Sequence, residues 1–391
     1  MADPIINFSP GPGVVARPVI EQAAQALLGV SELRGLSIVE ISHRLPFFEK
    51  IVADTKARLA KLLAIPDTHD VLFLQGGART QFAQIPLNWL VPGKSAAYVE
   101  TGVWSEGAIE EARASVGGGS VNVIASGRAS NYTELPSLAG ITLPADTAYV
   151  HTTSNNTIYG TQWHPMPDFV REERTALAPG DFVRAGGERV PHLSDMSSDI
   201  LSRPLDVSRF AMIYAGAQKN AGISGVTLII IDKAFMEAAR RDIPSIWQYR
   251  VMAANDSLYN TPPTFAIYCT NLVCQWLEGE GGVEAIAARN RRKASALYGA
   301  IDGSDGFYRA NIQTRAHRSE MNVTFRLPTP ELDTRFVAEG EEAGLHHMKG
   351  HRKAGGIRVS LYNAVPESGV ERLIAFMGRF ARAHHAHHAG R

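Results

Sequence analysis

One pattern governs most of this sequence. Short apolar runs at 71–74, 96–99, 147–150, 210–214 and 226–231 are each closed by a glycine-rich or polar turn. Runs of this length, bounded in this way, read as strands buried on both faces. They alternate with helical stretches through about residue 280. The alternation argues an α/β fold, a mostly parallel sheet with helices on both faces. Ligands in such sheets bind at the carboxyl ends of the strands. The residues just past each run are therefore where chemistry is to be sought.

A length of 391 residues suits two domains, or one large domain with a smaller one attached. The 39 basic and 39 acidic residues balance, so nothing favours nucleic acid or an anionic membrane surface. No apolar run approaches the length of a membrane span. Met1-Ala2-Asp3-Pro4 lacks the basic and apolar regions of a signal peptide. Cys269 and Cys274 read as buried thiols of a reducing compartment rather than as a disulfide. The expected location is the cytoplasm.

In chain order, 7–13 is an extended arm in which proline and glycine forbid regular structure. Gly11-Pro12-Gly13-Val14-Val15-Ala16 matches the dinucleotide fingerprint, but no strand precedes it. A helix follows over 18–28. His43 and Arg44 precede a helix over 46–63, either as a solvated pair or as an anion-binding one, Arg44 being a planar donor of fixed charge. After the run 71–74, Gln75-Gly76-Gly77-Ala78-Arg79-Thr80 turns into a helix from about Gln81. That is either a plain turn or an anion cradle of free N–H groups aided by the helix dipole. Lacking a Lys-Ser/Thr ending, it fits a cofactor phosphate better than ATP. Trp104, past the next strand, is either core or a stacking platform. Thr157 offers a hydroxyl after the polar turn Asn155-Asn156, and 168–192 reads as a surface excursion. Asp195 then stands after a short apolar segment.

The last two runs enclose Ala215-Gly216-Ala217-Gln218-Lys219-Asn220-Ala221-Gly222-Ile223-Ser224-Gly225. Its small residues leave one long basic side chain, Lys219, where backbone can approach a ligand. The plain reading is a surface-loop lysine. The other is a buried amine of lowered pKa, the environment of a Schiff-base nucleophile. Residues 77–79, Trp104, Thr157, Asp195 and Lys219 each follow a strand and can converge. A phosphate cradle, an aromatic ring, a carboxylate and a lysine are together what pyridoxal phosphate requires.

At this point the residues resemble a known family. His43-Arg44, Gly76-Gly77-Ala78-Arg79, Trp104, Ile200-Leu201-Ser202-Arg203-Pro204 and Ala215-Gly216-Ala217-Gln218-Lys219-Asn220 are similar to the phosphoserine aminotransferases. So are Asn260-Thr261-Pro262-Pro263-Thr264 and Lys349-Gly350-His351-Arg352, and the likeness runs from Asn7 to about Phe380. The resemblance implies a fold type I pyridoxal phosphate-dependent transferase: a large domain with a mostly parallel seven-stranded sheet, a small C-terminal α+β domain, and a homodimer with shared active sites. It implies reversible amino transfer between L-glutamate and 3-phosphohydroxypyruvate, and a related step in pyridoxine synthesis on a four-carbon phosphorylated keto acid. Lys219 would be the lysine linked to the cofactor, and Asp195 the partner of the pyridine nitrogen. Trp104 would stack on the ring and Thr157 would bond its 3-hydroxyl side. Ala78, Arg79 and Gln218 would hold the cofactor phosphate, with Asn260 and Thr261 from the other subunit. His43 and Arg44 from the neighbouring subunit, with His351 and Arg352, would bind the substrate phosphate, and Arg358 its carboxylate. Two departures stand out: Ala78 where close relatives often have glycine, and the length of 168–192.

These readings divide the chain into an N-terminal arm (1–16), a large domain (17–282), a small domain (283–380) and a disordered His-rich tail (381–391). The small domain is expected to hold a helix over 283–301, a strand over 321–327, a helix over 332–343, a strand over 357–361 and a final helix from Glu367. His347 and His351 have the spacing of two metal ligands on a helix. Gly350 and the lack of an acidic third ligand argue against a metal, and none is expected. Other aminotransferases of the serine–pyruvate or alanine–glyoxylate type are the nearest alternative, and His43, Arg44, His351 and Arg352 argue against them. A cysteine desulfurase is disfavoured because neither cysteine sits in a mobile loop. An anion-binding α/β protein without activity would keep the cradle but have no need of Lys219 or Asp195.

Overall fold

The computed structural model describes residues 4–115, 117–141, 143–164 and 189–385. A short strand β1 (Ile6–Asn7) precedes helices α1 (Arg17–Leu28) and α2 (Pro46–Leu62). The central sheet holds β2 (His69–Gly76), β3 (Ser95–Glu100), β4 (Ser120–Ser126), β5 (Thr147–Thr153), β6 (His192–Asp195), β7 (Met212–Gly216) and β8 (Gly225–Asp232). Their order is β2-β8-β7-β6-β5-β3-β4. Helices α3 (Ala78–Trp89) and α4 (Val103–Ala114) follow β2 and β3. After β8 come α5 (Lys233–Glu237), α6 (Tyr249–Ala254) and α7 (Thr264–Gly279).

The apolar runs form strands because both sides of the sheet are covered. In β8, Leu228 and Ile230 pack with residues of α1, α2 and α7, while Ile229 and Ile231 pack with residues of α3, α4 and α6. Burying each such side chain stabilises the fold by about 1.5–3 kcal/mol. Every neighbouring pair is parallel except those of β8, which runs antiparallel to β2 and β7. This reversal brings the start of β8 to the edge where the other strands end. Gly76 pairs with Gly225, and Gly216 with Thr227. The N-terminus of α3 and the loop 217–224 consequently share one edge.

The small domain comprises α8 (Gly282–Asp302), β9 (Arg309–Ala310), β10 (Asn322–Arg326), α9 (Pro330–Glu342), β11 (Leu345–His346), β12 (Ile357–Ser360) and α10 (Glu367–His385). Strands β9, β10 and β12 form an antiparallel sheet. Phe8, Leu297, Phe325, Phe336, Leu373 and Phe376 are among its core residues. Helix α10 buries Val370, Leu373, Met377 and Phe380, the spacing of one helical face.

Three expectations need correction. The arm is not wholly irregular: β1 pairs in parallel with β11, and Phe8 is fully buried in the small-domain core. The stretch 381–385 is not a disordered tail, because α10 continues to His385. His384 is buried there, its ring 4.3 Å from that of Phe380 and its Nε2 3.5 Å from Glu339. The end of the supposed excursion belongs to the core, with Val190 and His192 both buried. Residues 168–188, like His387 and His388, lie outside the described residues. No helix of the described residues is long and apolar enough to cross a membrane.

Candidate active site

The loop 217–224 is held at both ends and across its middle. Ala217 N–H donates to Val226 O at 3.1 Å, and Gly13 of the arm donates to Gln218 O at 2.7 Å. Small residues let the arm lie close: a Cβ built on Gly11 would stand 3.6 Å from Lys219 Cγ. The Lys219 amine is thereby directed over Trp104, with Nζ 5.3 Å from the ring centroid. Trp104 itself is fixed by its indole N–H, which donates to Thr157 Oγ1 at 2.8 Å. One step further, Arg358 on β12 donates through an Nη1–H to Thr157 O at 3.0 Å. Its Nε is buried without a hydrogen-bond partner among the described residues.

Asp195 ends β6 and is buried. Its Oδ1 accepts from the N–H of Ser197 at 2.9 Å and from the Ser197 hydroxyl at 2.7 Å. That hydroxyl also accepts from Gly216 N–H at 3.0 Å, tying the carboxylate turn to the strand before Lys219. Burial pushes the Asp195 carboxyl up, and the Lys219 charge and the Ser197 bonds oppose the rise. Burial pushes the Lys219 amine down, with Arg358 adding to the effect and Asp195 opposing it. A lysine of lowered proton affinity is a better nucleophile than an ordinary one.

At the same edge, Gly76 has φ 107, a conformation that favours glycine, and Gly77 caps α3. Ala78 and Arg79 occupy the first turn, whose N–H groups have no partner within the helix. Gln218 precedes Lys219, and a Cβ built on Gly216 would lie 2.8 Å from its Oε1. His351 and Arg352 stand in the loop before β12, not on a helix. Burial, then Arg358, Arg352 and Lys353, holds the His351 imidazole below its usual range. Lys353 Nζ lies 3.3 Å from Glu106 Oε2, fastening this loop to α4.

Four expected site residues show no bond to these groups among the described residues, though Asn260 reaches Gln75, beside Gly76. His43 is buried with Nε2 unpaired among the described residues, and Arg44 is exposed. Arg44 lines a cleft with Glu49, Lys56, Asn255, Asp256 and Leu258. Asn260 Nδ2 is 3.3 Å from Gln75 Oε1, and Thr261 is exposed. Sequence reasoning missed Ser197 and Asn220. Ser197 follows Asp195 by two positions, a spacing at which serine folds back on a preceding carboxylate, so a signal existed. Asn220 had no such local signal, because its partners Ser198 and Asn363 are distant in sequence.

The residues present suit pyridoxal phosphate. The second oxygen of buried Asp195 takes no hydrogen bond among the described residues, which suits a protonated ring nitrogen. The Trp104 face suits a flat ring, and the first turn of α3 suits a phosphate. Such a sheet, with lysine, carboxylate and aromatic ring at its carboxyl edge, defines a fold type I pyridoxal phosphate-dependent transferase. Residues 5–373 match the family model of the class-V aminotransferases. The chain is 47% identical over 376 residues to the phosphoserine aminotransferase of Geobacillus kaustophilus, covering 96% of this chain and 98% of that one. It is 46% identical over 378 residues to that of Stenotrophomonas maltophilia, covering 97% and 98%. The solved phosphoserine aminotransferase from Bacillus circulans subsp. alkalophilus superposes with a TM-score of 0.87 at 44% identity, covering 97% of this chain and 99% of that one. The pyridoxal phosphate-bound one from Trichomonas vaginalis gives 0.85 at 34% identity, covering 96% and 99%. The chain belongs to the class-V aminotransferases, and within them to the phosphoserine aminotransferase family.

Proposed function

We propose that this site transfers an amino group between L-glutamate and 3-phosphohydroxypyruvate, giving 2-oxoglutarate and O-phospho-L-serine, a step of serine synthesis. The observation that carries the reading is the line Lys219–Trp104–Thr157–Arg358: an amine, a ring face and a buried guanidinium in one run of contacts. Pyridoxal phosphate, when bound, supplies the electron sink for the substrate Cα. Lys219 moves the proton at that Cα, its lowered proton affinity suiting a general base. Asp195 holds the proton on the ring nitrogen, oriented by Ser197. Trp104 would stack on the ring, and Thr157, which accepts from the indole N–H, would bond its 3-hydroxyl side. Ala78, Arg79 and Gln218 would hold the cofactor phosphate. Arg358 takes the substrate carboxylate, its unpaired Nε being a donor in need of an acceptor.

The reading includes a homodimer with shared sites. Arg44, Asn255, Asp256 and Leu258 line one cleft, so Arg44 and the segment that leads to Asn260 lie on one side of the protomer. Leu36, Val39, Leu45, Trp247 and Tyr259 are apolar or aromatic residues exposed in the same segments of chain. A two-fold axis through such a face sends His43, Arg44, Asn260 and Thr261 to the partner's site. There His43 and Arg44 join His351 and Arg352 around the substrate phosphate, and Asn260 and Thr261 reach the cofactor phosphate. The two buried thiols, free in the structure, suit the cytoplasm.

The test is an assay with glutamate and a panel of keto acids of three and four carbons, phosphorylated and not. Turnover confined to the phosphorylated acids is the expected result. The four-carbon member decides whether the enzyme also serves pyridoxine synthesis. Preference for pyruvate or glyoxylate would reject the reading in favour of a different class-V aminotransferase. A protein with no visible cofactor band and no turnover would be an anion-binding protein instead.

A further inference from the structure

Lys293, on α8, is 1% exposed and has no carboxylate bonded to it among the described residues. Its Nζ donates to three backbone carbonyls, Leu361 at 3.0 Å, Tyr362 at 2.9 Å and Val365 at 3.1 Å. These belong to the turn that follows β12, and two consecutive residues of that turn each begin a path to the Lys219 loop. The Tyr362 hydroxyl donates to Pro10 O at 2.6 Å, and three residues on, Gly13 donates to Gln218 O at 2.7 Å. Asn363 N–H donates to Asn220 Oδ1 at 3.0 Å. One path ends on the residue before Lys219 and the other on the residue after it.

The Asn363 end is fixed from every side. Its Nδ2 donates to Leu201 O at 2.9 Å, and its Oδ1 accepts from Asn290 Nδ2 at 2.9 Å. Asn290 lies one turn before Lys293 on α8 and is itself fully buried. Asn220 in turn donates to Ser198 O at 2.8 Å, just beyond the Asp195–Ser197 turn. Asn220, Asn290 and Asn363 are all buried, so each unmade bond would carry a desolvation cost.

We propose that Lys293 and Asn363 are positioning residues for Lys219. By clamping the turn 361–365, they hold the arm on one side of the catalytic lysine and Asn220 on the other, and so set the place of its amine over Trp104. Three carbonyl acceptors take up all the N–H groups of an ammonium, whereas a neutral amine has only two to give. Burial and Arg289 push the Lys293 amine down to about 7, with Glu367 opposing, and the three acceptors match the N–H groups of the charged form. The clamp also lies next to β12, which carries Arg358.

The proposal rests on Lys219 being the cofactor lysine, and the two claims fail separately. If Lys219→Ala keeps the borohydride-sensitive absorption band, the catalytic assignment falls, and the clamp's role toward Lys219 falls with it. The clamp alone is tested on the holoenzyme by a pH titration of that band together with steady-state kinetics. In Lys293→Met the arm and loop loosen and water reaches the Lys219 nitrogen. The band's midpoint should rise by at least about half a pH unit, since burial lowers the proton affinity of a basic nitrogen and access of water restores it. The value of kcat should fall at least about tenfold while KM for glutamate changes by less than about threefold. A folded Lys293→Met enzyme with unchanged midpoint and kcat would overturn the proposal. Should that variant not fold, Asn363→Ala decides by the same two readouts, because it unfastens residue 363 without removing the buried charge. A raised midpoint with lowered kcat supports the clamp, and wild-type values in Asn363→Ala overturn it.

Discussion

The chemistry assigned to single residues is the most direct to test. Lys219→Ala should remove the covalent link to the cofactor and nearly all transamination while the protein still folds, since the loop's backbone bonds do not use the side chain. Borohydride-sensitive absorbance and turnover check this, and substantial residual turnover would reject Lys219. Asp195→Asn should keep bound cofactor but slow turnover by about 100-fold or more, because an amide cannot hold the ring nitrogen protonated. Near-normal turnover there would point to another acid. Lys219, Asp195 and Trp104 were legible in the sequence because each follows a strand, and strand ends fix position. Their support Asn220 was not, because Ser198 and Asn363 meet it only once distant segments come together.

Elements carry a different lesson. The strands were readable because burial on both faces leaves no polar alternation to confuse with a helix. The direction of β8 also had a signal that an account in parallel strands passes over. The gap between the runs 210–214 and 226–231 is too short for a parallel crossover, so the chain must turn straight back. The arm was misjudged for the opposite reason: nothing local marks β1, which pairs with a strand from the far end of the chain. Its closest approach is at Gly13, where an added Cβ would stand 2.8 Å from Lys219 O and 2.6 Å from the Tyr362 ring. Gly13→Ala should therefore lift the arm from the Lys219 loop. Displacing a reacting group by about 1 Å costs about 100-fold in rate, so a loss of that order in kcat/KM is expected. Unchanged kcat/KM would show that the arm does not set the site.

For the whole molecule, two measurements separate assembly from folding. Inactive Lys219→Ala and inactive Arg44→Ala proteins, mixed under conditions of subunit exchange, should regain activity. Each hybrid then holds one site with both lesions and one intact site. Proven exchange without activity would refute the shared site. Acid stability reports instead on His151 and His192, which burial pushes down to about 3 in the folded protein from 6.5. Between those values the unfolded chain binds the extra protons, so stability rises with pH through that window and is level above it. Each imidazole adds up to about 1.4 kcal/mol of destabilisation per pH unit of acidification. The melting temperature should drop steadily below about pH 6.5, and His151→Gln should flatten the drop. An equal slope in the variant would place the acid sensitivity elsewhere. The pairing of β1 with β11 has a consequence for biosynthesis. Translation delivers the arm long before its partner strand, which lies more than 300 residues further along the chain. The large sheet can form on the ribosome, since domains fold as units from the N-terminal side. The arm cannot settle against Lys219 until the small domain exists to receive it. The catalytic pocket is thus completed only after β11 has been made, and a chain stopped before it carries Lys219 without the walls that make it reactive.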